Sequence, residues 1–192
     1  MAQITNVPAL LISILLLSGI SCGPKEGGAP RQPPSLTQGS ATQSVAGVQW
    51  KVPARWTTQA PRQMRVATYS IPSERSDEVG ECAVFYFGAG EGGDVEANMQ
   101  RWIGQFEDAG QPKRSKRKVG DLNVSEIDLS GTYRTSTGPM MAAGEKKEGY
   151  RLLGAIVEAP QGLVFFKLTG PATTVASSES DFNSLVESLE VP

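Results

Sequence analysis

"VFYFGAGEGGDVEANMQRW", residues 84–102, decides between two folds. An apolar run ends at Gly88, and Gly90 and Gly93 follow at the spacing G-x-G-x-x-G before a helical pattern opens at Asp94. In a dinucleotide-binding enzyme such a turn joins a buried parallel strand to a helix whose N-terminus receives a pyrophosphate. The residues that follow argue against that reading. The next segment, "KRSKRKV" (113–119), is too basic to be a parallel strand buried on both faces. Asp108 has roughly the separation of the ribose-binding acid but falls at the end of the helix. Asp94 would occupy the helix N-terminus and, with Glu91, repel a phosphate there. The glycines therefore read as a tight strand-to-helix connection, and no cofactor is implied.

The helix itself is core-forming. Val95, Met99, Trp102, Ile103 and Phe106 fall on one stripe, Asp94 suits the N-cap, and Gly110 and Pro112 mark the stop. Outward from it, strands are expected over 45–52, 64–71 and 82–87, the first two stopped by Pro53 and Pro72. After the helix, 113–119 and 122–133 flank Gly120-Asp121 as a hairpin. A polar loop is expected over 134–149, then strands 150–158 and 163–169 joined by "APQG", and a last helix from Pro171 with Val175, Phe182, Leu185, Val186 and Leu189 as its stripe. The order β-β-β-α-β-β-β-β-α is rich in hairpins. It predicts an α+β domain with a mainly antiparallel sheet of about six or seven strands and two helices.

Residues 9–20, "ALLISILLLSGI", have the length of a signal-peptide core and are short for a membrane span. The run ends at "SGISC", which resembles the lipobox of bacterial lipoproteins, where cleavage precedes a cysteine that carries lipid. Gly19 stands where that pattern prefers Leu, and a soluble secreted protein and an uncleaved anchor are the alternatives. The segment after Cys22 is rich in Pro, Gly and Ser, with Leu36 as its one bulky apolar residue up to residue 44, and reads as a tether. The expected organisation is a signal peptide over 1–21, lipidated Cys22 and tether over 22–44, and one domain over 45–192. With Cys22 acylated, Cys82 has no intramolecular partner; it opens the run "CAVFYF" and reads as a small buried hydrophobe.

The chain of 192 residues contains no histidine. This removes Ser-His-Asp and Cys-His catalysis and most zinc and copper sites. No catalytic, cofactor-binding or metal-binding residue is expected. The acidic segment "SERSDEVGE", with Glu74, Asp77, Glu78 and Glu81, lacks calcium-loop spacing and reads as a solvated loop. Trp50, Trp56 and Trp102 read as packing residues, with sugar stacking as the alternative. There are 18 Lys and Arg against 20 Asp and Glu, a balance that does not point to nucleic acid. The dense charge is Lys113, Arg114, Lys116, Arg117 and Lys118. A solvated edge strand is one reading; a docking face for an anionic lipid, cell-wall polymer or acidic protein is the other.

"VPARW" after the first strand, the helix ending "RWIGQF", the hairpin into "GTY", and "FFKLTGP" leading to "FNSLVESL" together resemble the PsbP-like fold over roughly 46–190. That family is named for the extrinsic oxygen-evolving protein of photosystem II and also includes bacterial lipoproteins. The resemblance implies an antiparallel sheet between helices and a role in binding other proteins, with no catalytic motif to transfer. The resulting expectation is a non-catalytic, lipid-anchored binding or assembly module outside the cytoplasm, in a bacterial cell envelope. It would be tied to the membrane through Cys22 and to a protein or envelope polymer. A lipoprotein that binds a sugar or small molecule is the alternative, and a carboxylate-based hydrolase ranks third. A deep aromatic pocket would favour ligand binding, and two facing carboxylates would favour hydrolysis.

Overall fold

A computed structural model describes residues 41–74, 78–135 and 144–192. The expected signal peptide, Cys22 and most of the expected tether lie outside the described residues, as do Asp77 and residues 136–143 of the expected polar loop.

The described chain is α+β and its strand pairings are antiparallel throughout. The main sheet takes β3 (Thr57–Thr58), β4 (Ala67–Ile71), β5 (Gly80–Tyr86), β6 (Phe106–Glu107), β7 (Lys113–Val119), β8 (Leu122–Arg134), β9 (Lys146–Ala159) and β10 (Gly162–Pro171). Their spatial order is β3-β4-β5-β10-β9-β8, and β6 and β7 both pair with β8 at the far edge. A separate hairpin is made by β1 (Thr42–Val45) and β2 (Val48–Lys51). The helices are α1 (Val95–Ile103), α2 (Ala172–Ser177) and α3 (Glu179–Glu187).

The alternation along β10 explains why helices cover both faces. Val164, Phe166 and Leu168 point to one side, where Val48, Trp50 and Val52 of the hairpin and Val175, Phe182, Leu185 and Val186 of α2 and α3 close over them. Phe165 points to the other side, where Met99 and Trp102 of α1 pack with Ile127, Leu129, Leu152 and Ile156. A fully buried side chain such as Phe166 contributes about 2–3 kcal/mol by leaving water.

Four local expectations are corrected. Residues 45–52 do not form one strand: Ala46 and Gly47 both take positive φ (54° and 78°) and turn the chain into the β1–β2 hairpin. The folded part accordingly begins before Val45, since Thr42–Ser44 pair with β2 through backbone hydrogen bonds that their polar side chains do not oppose. The second strand starts at Ala67, because Met64 sits at φ 62° and cannot continue it. The C-terminal helix is interrupted at Ser178, whose backbone (φ −109°, ψ 6°) ends α2 and opens α3.

The glycine-rich turn is a connection. α1 leads not to a parallel neighbour of β5 but to β6 and β7 at the far edge of the sheet. Gly88, Gly90, Gly92 and Gly93 all have positive φ, which glycine adopts without steric cost. Asp94 caps α1, its Oδ1 accepting from Ala97 N at 2.7 Å.

Candidate functional site

α1 lies over β8 and β9 and leaves the β4–β5–β10 part of the same face uncovered. The uncovered part is the floor of an open cleft of about 1080 Å³. It runs between the Gln59–Arg65 segment before β4 and the C-terminal end of α1. Phe85, Phe165 and Trp102 form an aromatic wall, with Phe87 stacked on Phe85 at 6.1 Å and tilted against Phe165 at 5.7 Å. Opposite them, Tyr133 and Tyr150 stack almost parallel at 5.8 Å.

At the floor stands Lys167, 9% exposed, in the central strand β10. Its neighbours across the sheet are Ala83 on β5 and Gly154 on β9, both too small to fill the space above them. The Trp102 ring lies directly over Gly154, where a Cβ would come within 2.3 Å of it. Lys167 Nζ donates to Gln105 Oε1 at 2.6 Å and to Tyr133 Oη at 3.2 Å, and lies 5.1 Å from the centre of the Tyr133 ring. Burial pushes the Lys167 ammonium down to about 8; the charge of Arg65 acts in the same direction, and Glu81 opposes both. Burial also raises the Tyr133 hydroxyl above its ordinary value, with Glu81 adding to the effect.

The other charged groups at the cleft are held by ion pairs or hydrogen bonds. Glu81 accepts from Arg65 at 2.7 Å and from Arg62 at 2.8 Å. Lys147 pairs with Glu78 and lies over the Tyr150 ring at 5.5 Å. Arg101 donates to Asn98 Oδ1 at 2.8 Å, and buried Asn98 donates to the carbonyls of Gly92 and Asp94, both at 2.8 Å. The glycine turn thereby fixes one wall of the cleft.

Of the residues singled out from the sequence, Trp102 and Glu81 line the cleft and the rest lie elsewhere. β7 is an edge strand, paired only with β8. Arg114 pairs with Glu96 of α1 at 2.9 Å, and Arg117 forks onto Glu126 and reaches Glu187 of α3, so the two arginines serve opposite faces of the sheet. Lys113, Lys116 and Lys118 are exposed and have no ion-pair partner among the described residues. The acidic segment is not simply a solvated loop, because Glu81 belongs to β5 and lines the cleft. Glu74 pairs with Arg55 at 3.2 Å. Trp50 and Trp56 are buried in the core beneath the hairpin, Trp50 donating to Tyr69 Oη at 3.1 Å. Cys82 is fully buried, and burial pushes its thiol far above the ordinary range. Among the described residues no group of three or more His, Cys, Asp or Glu is placed to hold a metal ion.

No protein-family model matches the chain, and no curated protein matches it. Among solved structures, the chain is similar to the solution structure of cyanobacterial PsbP (CyanoP) from Synechocystis sp. PCC 6803. The TM-score is 0.49 and the identity 11%, over 85% of this chain and 100% of that one.

Proposed function

We propose that this chain is a non-catalytic envelope lipoprotein, anchored through Cys22, whose domain binds a small organic molecule in the open cleft beside the C-terminal end of α1. One observation carries the proposal: a cleft of about 1080 Å³ walled by aromatic rings, with a few polar groups converging at its floor. The described lining holds a single carboxylate, Glu81, which two arginines already engage. Hydrolysis by a carboxylate pair needs two, so the arrangement favours binding over chemistry.

Trp102 gives a local readout, since it lines the cleft while Trp50 and Trp56 are buried in the other core. The full chain carrying Trp50→Phe and Trp56→Phe reports ligand entry through Trp102 fluorescence alone. A screen of small apolar and aromatic compounds should find members that change this emission and raise the melting temperature together. Saturation at 100 times the dissociation constant corresponds to about 2.7 kcal/mol. A library in which no compound does both would count against ligand binding.

A second reading rests on β7. Its open edge presents Lys113, Lys116 and Lys118 without ion-pair partners among the described residues, which suits an anionic surface. Replacing the three with Gln should weaken co-sedimentation with phosphatidylglycerol vesicles at low salt. Unchanged sedimentation leaves β7 as a solvated edge.

A further inference from the structure

We infer that the ligand of the cleft is a small organic monocarboxylate with a flat apolar body, its carboxylate seated by Lys167 and Arg101. The inference rests on the ligand-binding reading above and adds the chemical class.

The argument is one of charge matching. The described lining carries Arg62, Arg65, Arg101, Lys147 and Lys167 against Glu81 alone. Arg62 and Arg65 are both engaged by Glu81, and Lys147 by Glu78. Arg101 and Lys167 remain, and no carboxylate among the described residues forms an ion pair with either. Their partners are neutral: Asn98 Oδ1 for Arg101, and Gln105 Oε1 and Tyr133 Oη for Lys167. An ammonium has three donors, so Lys167 keeps one for a ligand, and Arg101 keeps most of its fork. A buried lysine with no carboxylate bonded to it is costly to the fold and is the natural complement of an anion that enters the cleft.

Two features limit the anion to a single charge and its body to a planar apolar group. Glu81 faces the same space and would repel a dianion more strongly than a monoanion. The rest of the lining beside Lys167 is ring surface, with Phe85, Phe165 and Trp102 on one side and the Tyr133–Tyr150 stack on the other. Such faces favour offset or edge contacts with an aromatic ligand.

The test uses three probes of one shape on the full chain: 2-naphthoate, 2-naphthamide and 2-naphthyl phosphate, titrated by calorimetry at pH 7. Naphthoate should bind roughly tenfold or more tighter than the amide, the worth of a charge-assisted contact. Lys167→Met should bring the acid and amide affinities together, and Arg101→Gln should narrow the gap between them. Equal affinity for acid and amide, or naphthoate binding indifferent to Lys167→Met, would overturn the carboxylate seat while the cleft remains a ligand site. Tighter binding of the phosphate would overturn the choice of a monoanion. Failure of all three probes to bind would overturn the flat monocarboxylate, while the ligand-binding reading stands or falls with the wider screen above.

Discussion

Replacing Lys167 with Met should stabilise the protein at neutral pH. The ammonium in water titrates near 10.5 and in the fold near 8, because burial disfavours its charged form. At about 1.36 kcal/mol per pH unit of displacement, holding the charge in the fold costs up to about 3 kcal/mol. Methionine fills a similar volume without the charge. It strands Gln105 Oε1 and Tyr133 Oη, but both line the cleft and can turn to water, a loss of about 1 kcal/mol. The net gain at pH 7 is then about 2 kcal/mol. The pH dependence gives a sharper test. Below pH 8 folded and unfolded chains both carry the proton, so the penalty is complete. Between pH 8 and 10.5 the folded chain gives up its proton first, the unfolded state binds more protons, and wild-type stability from this group rises with pH. Above 10.5 the penalty is gone. Urea denaturation of wild type and variant at pH 7 and pH 10.5 measures the difference, and tyrosines common to both chains largely cancel. The variant should lead at pH 7 and lose that lead by pH 10.5. A variant less stable than wild type at pH 7, or a difference that does not change with pH, would refute the account of Lys167 as a strained cation.

Gly154→Ala should destabilise by about 1–3 kcal/mol in urea denaturation, since its Cβ would lie 2.3 Å from the Trp102 ring and the ring must move; a neutral result would mean that Trp102 is loosely held. Cys82 should resist a thiol reagent in the folded chain and react fully in denaturant, as judged by mass spectrometry; labelling under native conditions would contradict its burial. Cys22→Ser should release the protein from the membrane fraction and remove lipid from its mass, and a wild-type protein without lipid would end the anchoring proposal.

The elements were legible in the sequence where periodicity is local. The stripe through Val95, Met99 and Trp102 gave α1, the apolar run "LVFFKLT" after a turn gave β10, and Gly120-Asp121 gave the β7–β8 turn. What was missed has physical reasons. Ala46 in a positive-φ turn carries no ordinary turn signature, so one strand was expected where two exist. Ser178 interrupts a stripe that stays in phase across it, so one helix was expected in place of two. The cleft was not legible because its polar groups come from separate segments: Arg65 before β4, Glu81 on β5, Arg101 on α1, Tyr133 on β8 and Lys167 on β10. One signal was available. Lys167 is the only charge inside a strand apolar on both faces, and such a residue must be either strained or used. The basic run drew attention by density, yet two of its members are neutralised by glutamates distant in sequence.

The position of β10 between β5 and β9 has a consequence for how the chain acquires its structure. Phe85 pairs with Phe165, so strands β4 and β5 reach the rest of the sheet only through β10, which follows much later in the chain. The β1–β2 hairpin is likewise bridged to Glu190 through Gln49. A nascent chain ending before Leu163 would leave β5 as a bare edge with Cys82 and Val84 uncovered, and closing so long a loop is slow. Pairing at the centre of the sheet therefore waits until β10 is available, and until then the first strands lack their partner. Such a chain depends on whatever shields β5 during that interval, and its yield should respond to holding chaperones more than to the stability of the finished domain.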